Sequence, residues 1–232
     1  DVADASAVNA MMAEVVTRLG APNVLVNNAG IAVFRDPLET TGEDWRHCFA
    51  VDLDGVWNCS RAVLPYLLEA RQGDIINIAS VHASQIIPKC FPYPVAKHAV
   101  VGLTRALAIE YADRDIRVNA ISPGYIGTEI VENIFASAPD PDKLRAETNA
   151  LHPVKRIGRP EEIAAAAVFL AGGPFPSRGR LGATGALLGA AFLSKQPAML
   201  ELAARLKCPA KKKTDETQKS KPYPDFIINY ER

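Results

Sequence analysis

Three short apolar runs constrain this chain more than anything else in it: NVLVNNAG (Asn23 to Gly30), DIINIAS (Asp74 to Ser80) and IRVNAISPG (Ile116 to Gly124). Each is too short for a buried helix and too uniformly apolar for a strand with one wet face, so each reads as a strand covered on both sides. Between them lie longer segments with apolar residues at helical spacing, Gly42 to about Ala70 and Pro94 to about Ala112, and another, Ala5 to Leu19, precedes the first strand. Asp4 and Gly20 suit the two caps of that first helix, and Thr41 with Asp44 suits a capping box for the second. Pro65 falls inside the second helix and predicts a bend. Strand, helix, strand, helix, strand predicts an α/β fold, a doubly wound parallel sheet with helices on both faces. Ligands of such sheets bind beyond the carboxyl ends of the strands. Those ends here are Asn27-Asn28-Ala29-Gly30, Ser80 and Ser122-Pro123-Gly124, and they are expected to converge on one pocket.

Composition narrows the partner. Lys plus Arg equals Asp plus Glu at 26 each, so no net field draws in nucleic acid or an anionic membrane, and a small molecule is expected instead. The cysteines (Cys48, Cys59, Cys90, Cys208) and histidines (His47, His82, His98, His152) have no metal-ligand spacing, so no metal site and no disulfide framework is expected. No apolar run approaches the ~18 residues of a membrane span, and DVADASAV is not a signal peptide. A cytoplasmic location follows as the expectation.

The chain divides at about Ala171. Residues 1–171 read as one domain and 172–232 as an atypical segment. Gly172 to Gly189 holds six glycines and predicts a loop. Phe192 to Leu206 reads as a helix broken by Pro197, and Cys208 to Asp225 as a lysine-rich disordered tail.

Within SVHASQIIPKCFPYPVAK (Ser80 to Lys97), Pro94 marks a helix start, which puts Tyr93 and Lys97 one turn apart on one face. A phenol has a pKa of about 10, and an ammonium within ~4–6 Å lowers it by ~1–3 units, giving a usable proton shuttle. Ser80, at a strand end, is placed to hydrogen-bond an oxygen whose charge changes. The set suits oxidation of an alcohol or reduction of a ketone.

The motifs VLVNNAG, INIAS with YPVAK, RVNAISPGYIGT and RIGRPEEIAAAAVFLA, in that order over Asp1 to Ala171, resemble the short-chain dehydrogenase/reductase family. The resemblance implies a Rossmann-like fold, NAD or NADP as cofactor and a homo-dimer or homo-tetramer built on the two long helices. Tyr93 would be the general acid/base, Lys97 would lower its pKa and bind the nicotinamide ribose, and Ser80 would hold the substrate oxygen. Asn28, Ala29 and Gly30 would lie beneath the adenosine, Asp1 would meet the adenine, and Pro123, Gly124, Ile126 and Thr128 would contact the nicotinamide carboxamide and pyrophosphate. His82 would touch substrate, since its loop resembles that of dehydrogenases acting on free sugars. Glu129 to His152 stands where the family has a substrate lid.

Three departures from the family pattern matter. The chain starts where the family's third strand ends, so the fold is expected to be incomplete at the N-terminus, without the glycine-rich phosphate turn. TGALLGAA (Thr184 to Ala191) matches T-G-x-x-x-G but follows the polar PSRGRLGA, so it is read as coincidence. Asp52 stands where the family has an asparagine in its catalytic set. It is either a carboxylate near Lys97 that weakens the effect on Tyr93, or a solvated helix-surface residue. The family's last strand is not legible after Ala171. These departures leave an alternative: a catalytically impaired variant acting as a subunit partner or without function. Asn77 is expected to be structural, Cys90 inert, and Trp45 and Trp57 core or subunit contacts.

Overall fold

The computed structural model describes residues 1–171, together with the backbone of two short strands at 187–190 and 228–229. Helix α1 (Ala5–Leu19) is capped by Asp4, whose carboxylate accepts from the amides of Ser6 and Ala7, and it ends at Gly20 with φ of 88°. Strand β1 (Val24–Asn27) follows, then β2 (Phe34–Arg35). In α2 (Gly42–Phe49) both halves of the Thr41–Asp44 capping box are present. The predicted continuous helix is interrupted by a π-helical turn at Ala50–Asp54, before α3 (Gly55–Ala70) carries on through Pro65. Next come β3 (Gly73–Ile78), a 3₁₀ turn at Val81–Ala83, β4 (Phe91–Pro92) and α4 (Tyr93–Tyr111). Then β5 (Ile116–Pro123) leads to α5 (Glu129–Ala136), α6 (Pro141–Leu151) and α7 (Pro160–Leu170).

The main sheet runs in the order β1-β3-β5 and is parallel throughout, with Leu25 beside Ile75 and Ile75 beside Val118. Alternation along β3 splits the core as the apolar runs demand. Ile75 packs with Met12, Val63, Leu67, Leu107 and Val118 under α1, α3 and α4. Ile76 points the other way and packs with Ile121 and Leu170 under α7.

The glycine-rich segment expected to be a loop contains a strand. β6 (Leu187–Ala190) lies parallel to β5, with Ala120 beside Leu187 and Pro123 beside Ala190, and β7 (Ile228–Asn229) pairs with β6. The backbone groups along the free side of β5 need partners, and the short apolar run LLGA supplies them. The other expectations for 172–232, the helix at 192–206 and the tail at 208–225, lie outside the described residues.

Asn77 ties the layers together. Asn27 Nδ2 donates to Asn77 Oδ1 at 2.8 Å and to Ser60 Oγ at 3.0 Å, and Asn77 Nδ2 donates to Thr104 Oγ1 at 2.9 Å. β1, β3, α3 and α4 thus share one buried polar chain, and Asn77 is fully buried within it. Asn77→Ala leaves Asn27 and Thr104 short of partners, and it is expected to cost about 1–3 kcal/mol, read as a lower urea midpoint at unchanged slope.

The tryptophans are not core residues. Trp45 and Trp57 are each 39% exposed, and Trp45 stacks on Phe49 with ring centres 4.4 Å apart. An indole on the outer side of these helices keeps its N–H in water at no cost.

Candidate active site

The carboxyl ends of β1, β3 and β5 open into one cavity of about 710 Å³. Asn28, Ala29 and Gly30 line it from the first strand end, Ser80 and His82 from the second, and Pro123, Gly124, Ile126 and Thr128 from the third. Tyr93 and Lys97 enter from α4. The convergence expected from the strand ends is therefore present. Asp1 does not join it, being exposed, with its carboxylate accepting from the Ala3 amide at 2.9 Å.

Pro94 lies in the first turn of α4 and sets the helix going at Tyr93. One turn later Lys97 turns back over the phenol, its Nζ 5.4 Å from the ring centre. Lys97 as a whole is 3% exposed. Its Nζ donates to the Ile78 carbonyl at 3.3 Å and lies 3.2 Å from Asp52 Oδ1.

Asp52 is not on the surface, contrary to the solvated reading; it is fully buried. The π-helical turn carries it inward, where Oδ1 accepts the Ile31 amide at 3.0 Å. The Cys48 thiol donates to Oδ2 at 3.6 Å, and burial beside this carboxylate pushes that thiol up to about 12, so it stays neutral. Asp52 does not line the cavity; its carboxylate meets it only through Lys97, which does.

Gly30 is the residue that lets the pair form. A methyl group there would stand 2.8 Å from Asp52 Oδ1 and 3.3 Å from Lys97 Nζ. Gly30→Ala is expected to push the two charges apart and destabilise the fold by about 1–3 kcal/mol, seen as a lower thermal midpoint together with weaker cofactor binding in calorimetric titration.

The acidity of Tyr93 is set by opposing causes. Burial of the ring, the largest cause, holds the phenol above its ordinary range; Lys97 pulls it down as its spacing implies, Ser80 pulls the same way, and Asp52 adds to the rise. Spacing alone registers the ammonium but neither the buried surroundings nor the carboxylate that offsets it. Ser80 is buried, and its Oγ accepts the His82 amide at 3.2 Å.

Several wall residues were not legible in the sequence. The antiparallel pair β2–β4 sets Phe34 beside Pro92 and edge-on to Tyr93, with ring centres 5.4 Å apart. A two-residue ladder has no periodicity to read. Tyr125 and Cys90 also line the cavity, and burial pushes the Cys90 thiol up. Ala164 and Ala167 of α7 complete the wall; their i, i+3 spacing was a usable signal.

The lid region, Glu129 to His152, is two helices. Ile130, Val131 and Ile134 of α5 face the cavity. Arg145 of α6 holds Glu132 of α5 through two hydrogen bonds, at 3.1 and 2.5 Å, and lies over the Phe135 ring at 4.5 Å. RIGRPEE has a structural part as well: Arg156 grips Glu162 at 2.8 and 2.7 Å while Gly158 bridges to Ile126 beside the cavity. Among the described residues no helix is long and apolar enough to cross a membrane.

Comparison with known proteins agrees with this geometry. The family model described as enoyl-(acyl carrier protein) reductase matches residues 1–175. The chain is 42% identical over 171 residues to inactive 2-(S)-hydroxypropyl-CoM dehydrogenase 2 of Xanthobacter autotrophicus, covering 73% of this chain and 74% of that protein. It is 37% identical over 174 residues to oxidoreductase UcpA of Salmonella typhimurium, covering 74% of this chain and 66% of that protein. The chain thus spans about two thirds to three quarters of these relatives. Among solved structures, a variant of actinorhodin polyketide ketoreductase with NADPH superposes with a TM-score of 0.77 at 31% identity, over 83% of this chain and 74% of that one. On the strand-end cavity, the Tyr93–Lys97 pair and these matches together, the chain belongs to the short-chain dehydrogenase/reductase family of NAD(P)-dependent oxidoreductases.

Proposed function

We propose that this chain interconverts an alcohol and a ketone or aldehyde by hydride transfer to or from NAD or NADP, with Tyr93 as general acid and base. The observation that carries the reading is that Tyr93 shares the wall of the strand-end cavity with Ser80, to which its phenol is hydrogen-bonded, and with Lys97, whose Nζ lies 5.4 Å from its ring centre. A nicotinamide, when bound, supplies or accepts the hydride.

The donor set fits such a group. Gly30 allows close backbone approach beside Lys97, whose ammonium is suited to ribose hydroxyls. Asn28 and Ala29, in the cavity wall, would lie beneath the adenosine half, and Pro123, Gly124, Ile126 and Thr128, also in the wall, would meet the carboxamide and pyrophosphate.

The chain's own residues move the proton. In alcohol oxidation the substrate O–H gives its proton to the Tyr93 oxygen as the carbon gives up hydride, and in carbonyl reduction the same proton returns. Ser80 Oγ donates a hydrogen bond to the substrate oxygen and holds it against Tyr93. Lys97, fixed by Ile78 and Asp52, places positive charge beside the phenol and favours its ionised form.

The test is to incubate the purified chain with NADH or NADPH and a panel of ketones, and with the oxidised cofactors and the matching alcohols, while following nicotinamide absorbance. Turnover of any pair, with cofactor binding by calorimetry, supports the reading. No turnover and no cofactor binding would sink it.

A further inference from the structure

The loop between β3 and α4 carries a side chain that the proton transfer does not use. His82 is half-buried and stands in the cavity wall. Its Nδ1 lies 3.1 Å from the Gln85 carbonyl oxygen. A carbonyl oxygen only accepts, so Nδ1 carries the hydrogen. Burial pushes the imidazole below its ordinary range, outweighing the Gln85 carbonyl, so the ring is neutral at pH 7 and Nε2 presents a lone pair. Among the described residues no hydrogen bond to Nε2 is present.

Neighbouring rings fix where that lone pair can be used. His82 sits edge-on to Tyr93, ring centres 6.1 Å apart, and to Phe34 at 6.4 Å. The imidazole is therefore held next to the phenol and cannot turn away without losing Gln85. With its ring centre 6.1 Å from that of Tyr93 in the same cavity wall, His82 is a polar side chain within reach of the carbon next to one whose oxygen would sit on Tyr93 and Ser80. A plain alkyl group there leaves a half-buried acceptor without a donor, which is unfavourable. A hydroxyl there completes it.

Resting on the alcohol and carbonyl reading above, we infer that His82 Nε2 accepts a hydrogen bond from a second substrate hydroxyl on the carbon next to the reacting one. The preferred substrates are then vicinal diols and the α-hydroxy carbonyls formed from them. The reaction balances as before: one C–H leaves as hydride to the nicotinamide, one O–H proton goes to Tyr93, and the second hydroxyl is unchanged.

The experiment compares butane-2,3-diol with butan-2-ol in the wild type, His82→Leu and His82→Gln. The wild type is expected to favour the diol in kcat/KM by about tenfold or more, and His82→Leu to lose about that factor of preference. His82→Gln, which keeps an acceptor, is expected to retain part of it. A preference unchanged in His82→Leu, or rates that fall in parallel on both substrates, would show a structural role and overturn the inference. If neither of these two alcohols is turned over, the oxidoreductase reading is decided by the wider panel above, and a second measurement decides this inference. The side-chain ¹⁵N resonance of His82, assigned by its loss in His82→Leu, is titrated with each alcohol in the presence of NADP. A shift with the diol alone supports the assignment, and equal shifts or none would refute it.

Discussion

Tyr93→Phe is expected to lower kcat by about 10²- to 10⁴-fold, the span that a positioned acid or base contributes. The phenyl ring keeps its edge-on contacts with Phe34 and His82, so the wall and the fold stay as they are. Only the oxygen that carries the proton is lost. NADPH binding by calorimetry is therefore expected to persist, because Lys97 remains pinned by Ile78 and Asp52 rather than by the phenol. Initial rates with a saturating ketone, measured beside that titration, separate chemistry from binding. Activity within a few-fold of wild type would remove Tyr93 from the mechanism.

The second large effect concerns Asp52, and its two variants differ in kind. Asp52→Ala strands the Lys97 ammonium, whose side chain is 4% exposed, without its carboxylate. Removing one partner of a buried pair typically costs about 3–5 kcal/mol, read here as a large drop in denaturant midpoint. Asp52→Asn keeps an oxygen for the Ile31 amide and for Lys97, so a smaller loss is expected. Its main effect falls on the pH profile of alcohol oxidation, which needs Tyr93 in its ionised form. Burial raises the Tyr93 pKa most, Lys97 and Ser80 lower it, and Asp52 raises it again. Removing the negative charge takes away one of the raising causes, so the rising alkaline limb of the rate is expected to move to lower pH. A limb that stays in place or moves to higher pH would show that Asp52 does not act through charge.

The contrast between these two residues marks how far the chain could be read before folding. Tyr93 and Lys97 were legible because they lie one helical turn apart, and Pro94 announces the turn. Asp52 was legible as a departure from the family pattern but not as a buried group, since a helical segment with a long apolar period gives no sign that its ladder opens into a π turn. Gly30 illustrates the same limit. Its place in NNAG suggests a tight loop, while the reason nothing larger fits, the approach of Asp52 and Lys97, involves residues remote in the chain. The strand at Leu187–Ala190 was missed because four apolar residues within a glycine-rich stretch carry too little pattern, and the partner that makes them a strand is β5.

By itself the chain determined the alternation of buried strands and helices, the caps at Asp4 and Thr41, and the spacing of the serine, phenol and ammonium. All of these are local, written within a turn or a short run where side-chain period and backbone preference act directly. Tertiary structure decided the acidity of Tyr93, the burial of Asp52 against Lys97, and a cavity walled by Phe34, Tyr125 and the lid helix α5. Those depend on how closely distant segments approach and on how much water they exclude, and electrostatic energies follow distance and burial rather than position in the chain.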